Sequence, residues 1–262
     1  MVEDRDDTAW QIAGCHAVVT GGGRGIGAAI AWALSDAGAV VTVTGRSEGP
    51  LKDLVASGGA AGYRLADVTD EASTRAAIEA AVSDRGPVGI LVANAGAAES
   101  APFHRSGADL FRRMLDVNLM GVIYSAQTVL KPMMEARGGR IVAISSTAGL
   151  KGYRYTSAYC AAKHAVVGLV RSMALEAARS GVTVNAVCPG FTDTDLVAQS
   201  IERIVAKTGM SAAEADAELV KDNPQGRLVK PEEVADAVLW LCGPGAAAIT
   251  GQAIAVAGGE VM

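Results

Sequence analysis

Short runs of β-branched and small apolar residues alternate with longer alanine-rich amphipathic stretches along most of the 262 residues. Residues 17–20, 40–44, 90–93, 141–145 and 182–187 are nearly continuous in apolar character, as expected of strands buried on both faces. A weaker strand is expected at 63–65 and a terminal one at 253–257. Between them, 26–37, 71–83 and 108–136 have helical length and periodicity. Alternation of this kind is the βαβ pattern, so the expected fold class is α/β, a single doubly wound parallel sheet with helices on both faces, spanning 1–262 as one domain. Such a sheet binds ligands beyond the carboxyl ends of its strands. Residues 191–227 depart from the rhythm: the stretch is polar and carries a helix-like segment at 211–220. It is expected to be a substrate lid, with a surface elaboration or an oligomer contact as the other reading.

Half of the residues are apolar, enough for a substantial core, and the formal net charge is −5, which argues against nucleic acid or an anionic membrane as the main partner. The first residues are acidic and polar where a secretory signal would be basic and then apolar, and no apolar run reaches spanning length, so a cytoplasmic protein is expected. Cys15, Cys160, Cys188 and Cys242 are scattered without metal-type spacing and read as reduced thiols; no metal is expected.

Thr20-Gly21-Gly22-Gly23-Arg24-Gly25-Ile26-Gly27 follows the first strand and opens the first helix. Glycines there permit a tight turn and close backbone approach, while the helix start offers unpaired amides to a pyrophosphate. A carboxylate at the end of the second strand would accept hydrogen bonds from a ribose and repel a 2′-phosphate. The chain has Thr44-Gly45-Arg46-Ser47 instead. Arg46, with Arg24 as a second candidate, makes NADP(H) the preferred cofactor and leaves NAD(H) open; either arginine could equally be solvated, or Arg46 could stack on adenine.

Tyr159-Cys160-Ala161-Ala162-Lys163 lies downstream of Ser146. If 157–179 is helical, Tyr159 and Lys163 stand one turn apart on one face, where an ammonium can stabilise a phenolate. A free tyrosine has a pKa of about 10, and a nearby cation brings it towards the range useful for proton transfer. Tyr and Lys at this spacing also occur by chance as packing and solvated positions.

With the glycine turn, the Ser–Tyr–Lys set and the strand order together, the sequence resembles the short-chain dehydrogenase/reductase family of the 250-residue type. The resemblance covers essentially the whole chain and extends to Asp67-Val68, Asn94-Ala95-Gly96, Asn118 and Pro189-Gly190 followed by Thr194. It implies that Gly21, Arg24, Gly25, Ile26 and Gly27 hold the cofactor phosphates and that Asp67 and Val68 hold adenine. It further implies that Asn94 and Gly96 floor the cofactor, and that Pro189, Gly190, Thr192 and Thr194 frame the nicotinamide carboxamide. Lys163 would bond the nicotinamide ribose and acidify Tyr159, Asn118 would hold a water in a proton relay, and Ser146 rather than Ser145 would bind the substrate oxygen. Two departures, Ala93 where the family often has Asn and Ala257 where Asp is usual, do not touch the chemistry.

The implied activity is hydride transfer between nicotinamide and a carbonyl or secondary alcohol. The similarity is closest to 3-oxoacyl-thioester reductases and 3-hydroxyacyl-CoA dehydrogenases. Lys151, Arg154, Arg203, Lys207 and Arg227 are candidate contacts for the phosphates of coenzyme A or an acyl carrier protein (ACP), each with a solvated surface as the other reading. Tyr153, Tyr155 and Phe191 are candidate walls for an acyl or ring-bearing substrate. The alternatives are turnover of free ketones or alicyclic secondary alcohols and, more remotely, a non-catalytic NADP(H)-binding protein. The family also implies a homotetramer.

Overall fold

The computed structural model describes residues 10–262, apart from the side chains at 196, 199, 204 and 207. Seven parallel strands form one sheet: β1 (His16–Thr20), β2 (Val40–Gly45), β3 (Gly62–Leu65), β4 (Val88–Ala93), β5 (Gly139–Ile144), β6 (Val182–Pro189) and β7 (Ala253–Val256), in the order β3-β2-β1-β4-β5-β6-β7. The order reverses direction between β1 and β4, so the crevice expected of a doubly wound sheet opens above those two strands.

Strand residues alternate between two cores. Ala17, Val19, Ile90 and Val92 face one side, where α1 (Gly25–Asp36) and α9 (Pro231–Cys242) lie; Val18, Leu91, Ile141 and Val184 face the other. That second side is covered by α3 (Glu71–Arg85), α5 (Gly121–Glu135) and α6 (Ser157–Ala177). Both faces are therefore apolar, which is why the strands read as continuous runs. The remaining helices are α2 (Glu48–Ala56), α4 (Ala108–Leu115), α7 (Asp195–Thr208) and α8 (Ala212–Val220).

One expectation is corrected. Residues 108–136 form two helices, α4 and α5, separated by a π-helical turn over Asp116–Met120. The wider turn accommodates Asn118, which is fully buried with its amide spent on backbone groups. The segment 191–227 folds as α7 and α8, and an isolated parallel bridge between Thr192 and Val229 closes its base.

Candidate active site

The glycine turn is shaped by what stands against it. Gly21 and Gly25 have φ of 64° and 52°, in the left-handed region. A Cβ on Gly27 would lie 2.3 Å from the Gly21 carbonyl oxygen and 2.5 Å from Asn94 Nδ2. Asn94 Nδ2 donates to the carbonyls of Thr20 (2.9 Å) and Gly21 (3.1 Å), while buried Thr20 Oγ1 accepts from the amides of Asn94 (3.0 Å) and Ala95 (3.1 Å). Thr20 opens the glycine motif in the sequence but was given no role of its own there.

Helix α1 begins beyond this turn with no side-chain cap and no acidic residue in its first turn. Its amides and positive dipole end are left for an anion. A bare backbone cradle beneath an uncapped helix start fits a pyrophosphate-bearing cofactor. Ile26 is half-buried on that first turn.

Around the rim, Arg24 and Arg46 are exposed. Asp67 accepts from the Thr69 amide (3.0 Å) and hydroxyl (2.8 Å); these bonds, with a smaller contribution from Arg46, hold its carboxyl below the usual range. Val68 is buried, and a Cβ on Gly121 would lie 2.9 Å from its Cβ. Pro189 ends β6, the Gly190 amide donates to Val256 (3.0 Å), Thr192 Oγ1 donates to Gly190 (3.0 Å) and Thr194 Oγ1 to Thr192 (3.2 Å). Thr194 reaches across the crevice, with Cγ2 3.2 Å from where a Gly25 Cβ would stand.

At the end of β5 the two neighbouring serines have different partners. Ser145 is buried and donates to the Lys163 carbonyl (3.0 Å), so it ties the strand to α6. Ser146 accepts from the Ala148 amide (3.1 Å) and hydrogen-bonds Tyr159, which separates it from Ser145 on geometry. Tyr159 and Lys163 lie on α6 as the spacing predicts, with Lys163 Nζ 5.7 Å from the Tyr159 ring centroid.

Their titration does not follow the simple expectation of a cation acidifying a phenol. Burial pushes Tyr159 up to about 12, opposed by its bond to Ser146. Burial also pushes Lys163 down to about 8; its Nζ donates to the Ile144 carbonyl at 2.8 Å. In the protein alone, desolvation sets the direction of both shifts.

Asn118 donates from Nδ2 to the carbonyls of Ala97 (2.9 Å) and Met114 (3.0 Å), and its Oδ1 accepts from the Ala97 amide (3.3 Å). A Cβ on Gly96 would lie 2.8 Å from Asn118 Oδ1 and 3.5 Å from Lys163 Nζ. Gly96 therefore keeps the space between those two groups clear of side chain. Cys160, beside Tyr159, contacts Thr156 Oγ1 through its sulfur (3.3 Å), as a packing residue does.

A glycine cradle, an uncapped helix start and a Ser–Tyr–Lys group thus share one end of a parallel sheet. Residues 15–204 match the short chain dehydrogenase family. The chain is a short-chain dehydrogenase. This oxidoreductase family binds a nicotinamide cofactor, and the cradle fits one. Among relatives, the chain is 40% identical to cis-4-hydroxycyclohexanecarboxylate dehydrogenase of Sinomonas cyclohexanicum, covering 93% of this chain and 95% of that protein. It is also 40% identical to acetoacetyl-CoA reductase of Synechocystis sp., covering 92% and 94%. A crystal structure of an actinorhodin polyketide ketoreductase variant with NADPH superposes with a TM-score of 0.90 at 39% identity, covering 94% and 97%.

At the mouth of the dehydrogenase, Lys151 pairs with Glu260 (3.1 Å) and lies 3.9 Å from Asp222, while Arg227 forms a two-pronged pair with Glu233 (2.7 and 2.6 Å). Both cations are paired within the protein, in ion pairs whose cations stay partly exposed. Arg154 is exposed, and Arg203 adds to the larger effect of Arg113 in lowering the carboxyl of Glu99. The Lys207 side chain lies outside the described residues. Tyr153 and Phe191 meet edge to face with centroids 6.1 Å apart. Tyr155 is exposed at φ 66°, a strained backbone for a bulky residue, and its carbonyl accepts from the Ala101 amide (2.7 Å). Among the described residues no helix is long and apolar enough to cross a membrane, and no group of His, Cys, Asp or Glu could hold a metal ion.

Proposed function

We propose that this dehydrogenase is an NADP(H)-preferring, cytoplasmic and homotetrameric reductase that acts on 3-oxoacyl thioesters of coenzyme A or ACP, and on the corresponding 3-hydroxyacyl thioesters in reverse. The observation that carries the reaction type is the Ser146–Tyr159–Lys163 group at the strand ends, beside the glycine cradle. The nicotinamide, when bound, supplies or accepts the hydride. Tyr159 is held protonated well above neutral pH, as a proton donor to a carbonyl oxygen must be, and Ser146 hydrogen-bonds that oxygen as charge develops on it. Lys163 supplies positive charge next to the phenol that has given up its proton, and Asn118 holds the far side of the space that Gly96 keeps open. Arg46 at the end of β2, exposed and positively charged, supports a preference for the 2′-phosphate. Helices α7 and α8 act as the lid over the substrate. The acetoacetyl-CoA reductase relative supports the thioester reading.

A second substrate class has specific support. The edge-to-face pair Tyr153–Phe191 offers an aromatic wall, and one relative at 40% identity is named for a hydroxycyclohexane substrate. With Lys151 and Arg227 held in ion pairs, that wall favours a free alicyclic ketone or alcohol. Parallel kinetics with acetoacetyl-CoA, a longer 3-oxoacyl thioester and cyclohexanone, each with NADPH and NADH, separate the readings. The thioester reading expects kcat/KM at least about tenfold higher for a thioester than for cyclohexanone; the reverse order replaces it with the alicyclic one. NADPH binding with no turnover on a wide carbonyl panel would leave only a non-catalytic NADP(H)-binding protein.

A further inference from the structure

Behind the Tyr153–Phe191 wall stands a carboxylate, Glu260, to which no role has been given. Glu260 follows Gly258 and Gly259, whose φ of 61° and 92° only glycine adopts freely. A Cβ on Gly258 would lie 2.2 Å from Asn223 Oδ1, and one on Gly259 3.2 Å from Pro224, so the two glycines let the tail press against the turn after α8. The tail then delivers the Glu260 side chain, 4% exposed, into the protein. Its carboxylate accepts from the Tyr153 hydroxyl and pairs with Lys151 at 3.1 Å, and Oε2 lies 3.1 Å from where a Gly190 Cβ would stand.

The donors and acceptors can be assigned. A carboxylate only accepts, so the single proton of Tyr153 goes to Glu260. The Thr147 hydroxyl, buried and 2.6 Å from that of Tyr153, must then be the donor in their contact. The result is a directed chain from Thr147 through Tyr153 to Glu260, closed by Lys151, whose Nζ also sits 4.8 Å from the Tyr153 ring centroid. Thr147 adjoins Ser146, and Phe191, packed on the Tyr153 ring, adjoins Gly190.

We propose that Glu260 is a positioning residue for the carbonyl substrate, fixing the Tyr153 ring between the Ser146 loop and the Gly190 loop. A buried carboxylate is costly to retain without partners, and this one spends its bonds on the two side chains that flank the crevice. The glycine cradle shares no residue with the cluster. Loss of Glu260 therefore frees the substrate wall and the Ser146 loop while the glycine cradle beneath the cofactor phosphates stays intact.

The proposal rests on the reading of this site as a carbonyl reductase, and the test separates the two. Glu260→Ala and Glu260→Gln are compared with wild type by kinetics on acetoacetyl-CoA and cyclohexanone, by NADPH titration, and by hydrogen exchange of the peptide covering 146–155. Glu260→Ala is expected to raise KM about tenfold or more for whichever substrate wild type turns over, with NADPH Kd within about twofold. Faster exchange confined to 146–155 should accompany it. Glu260→Gln keeps an acceptor for Tyr153 and should recover most of the KM. KM unchanged in Glu260→Ala overturns the proposal, and so does a parallel loss of NADPH affinity, which would mark a merely structural role. If wild type reduces neither substrate, the reductase reading fails, and the exchange experiment still decides whether Glu260 fixes the loop: unchanged exchange sinks it.

Discussion

The two sides of the crevice are built from different materials. On the cofactor side the shape is backbone: Gly21, Gly25 and Gly27 bare the main chain, Thr20 and Asn94 pin it with four hydrogen bonds, and the helix start is left uncapped. On the side proposed for the substrate the shape is side chain: Tyr153, Phe191, Lys151 and Glu260 hold one another in place. A backbone cradle tolerates no added atoms, whereas a side-chain wall can change one residue at a time. The first suits a ligand that stays constant, the second a ligand that varies among relatives.

The sharpest test removes one oxygen from the reacting group. Tyr159→Phe is expected to lower turnover at least about 10³-fold while NADPH binding stays near wild type, measured by steady-state rates and fluorescence titration. Turnover close to wild type would sink the proton-donor role. The complementary change adds one methyl to the cradle. In Gly27→Ala the new Cβ meets the Gly21 carbonyl and Asn94 Nδ2, so NADPH affinity should fall about 100-fold or more and thermal stability should drop. A variant that binds NADPH normally would show that the turn can relax and that the contrast between the two sides is overdrawn.

A smaller effect is expected at the rim. Arg46→Ala should raise the Kd for NADPH about 10- to 30-fold and leave that for NADH nearly unchanged, since one charge-assisted phosphate contact is worth about 1.5–3 kcal/mol. Equal losses for both cofactors would show that Arg46 stacks on adenine instead.

The mildest effect is one of pH. Burial lowers Lys163 to about 8 in the folded protein from an ordinary 10.5. Between these values the unfolded chain binds more protons, so the Lys163 contribution makes stability rise with pH over that window, and the burden of burying the charge is full below about pH 8. Relative to Lys163→Met, wild type should therefore gain in melting temperature as pH is raised from 8 to 10. A difference that stays flat would mean that the ammonium is better solvated than its burial implies.

What could be read from the sequence follows the same division. The strands, the sheet class and the residues of the cradle were legible because buried parallel strands and backbone turns leave local signatures: continuous apolar runs, and glycine where no Cβ fits. The Ser146 position was legible through its spacing to Tyr159, and its separation from Ser145 came from their different partners. The break at Asp116–Met120 was not legible, since the Gly121 that follows it also fits within an unbroken helical pattern. A second hint was Asn118, a polar residue that falls among buried positions. Glu260 carried no signal, because its placement depends on separate segments meeting, and the pairing of Lys151 with Glu260 was hidden for the same reason. The raised pKa of Tyr159 was hidden as well, because burial is a property of the assembled site and not of a helical spacing.

The bond from the Asn94 amide to Thr20 Oγ1 spans 74 positions. The strands beside β1 are β2 and β4, so the turn between β1 and α1 is locked only after three complete βα units and the fourth strand have been made. Until then the nascent chain carries a glycine loop with nothing to hold it and an apolar strand edge with no neighbour. Assembly of the cofactor site thus depends on closing a long loop, an event that slows folding and leaves the unfinished sheet open to association with other chains. The residues that make the finished cradle rigid are, during synthesis, among those that wait longest for their partners.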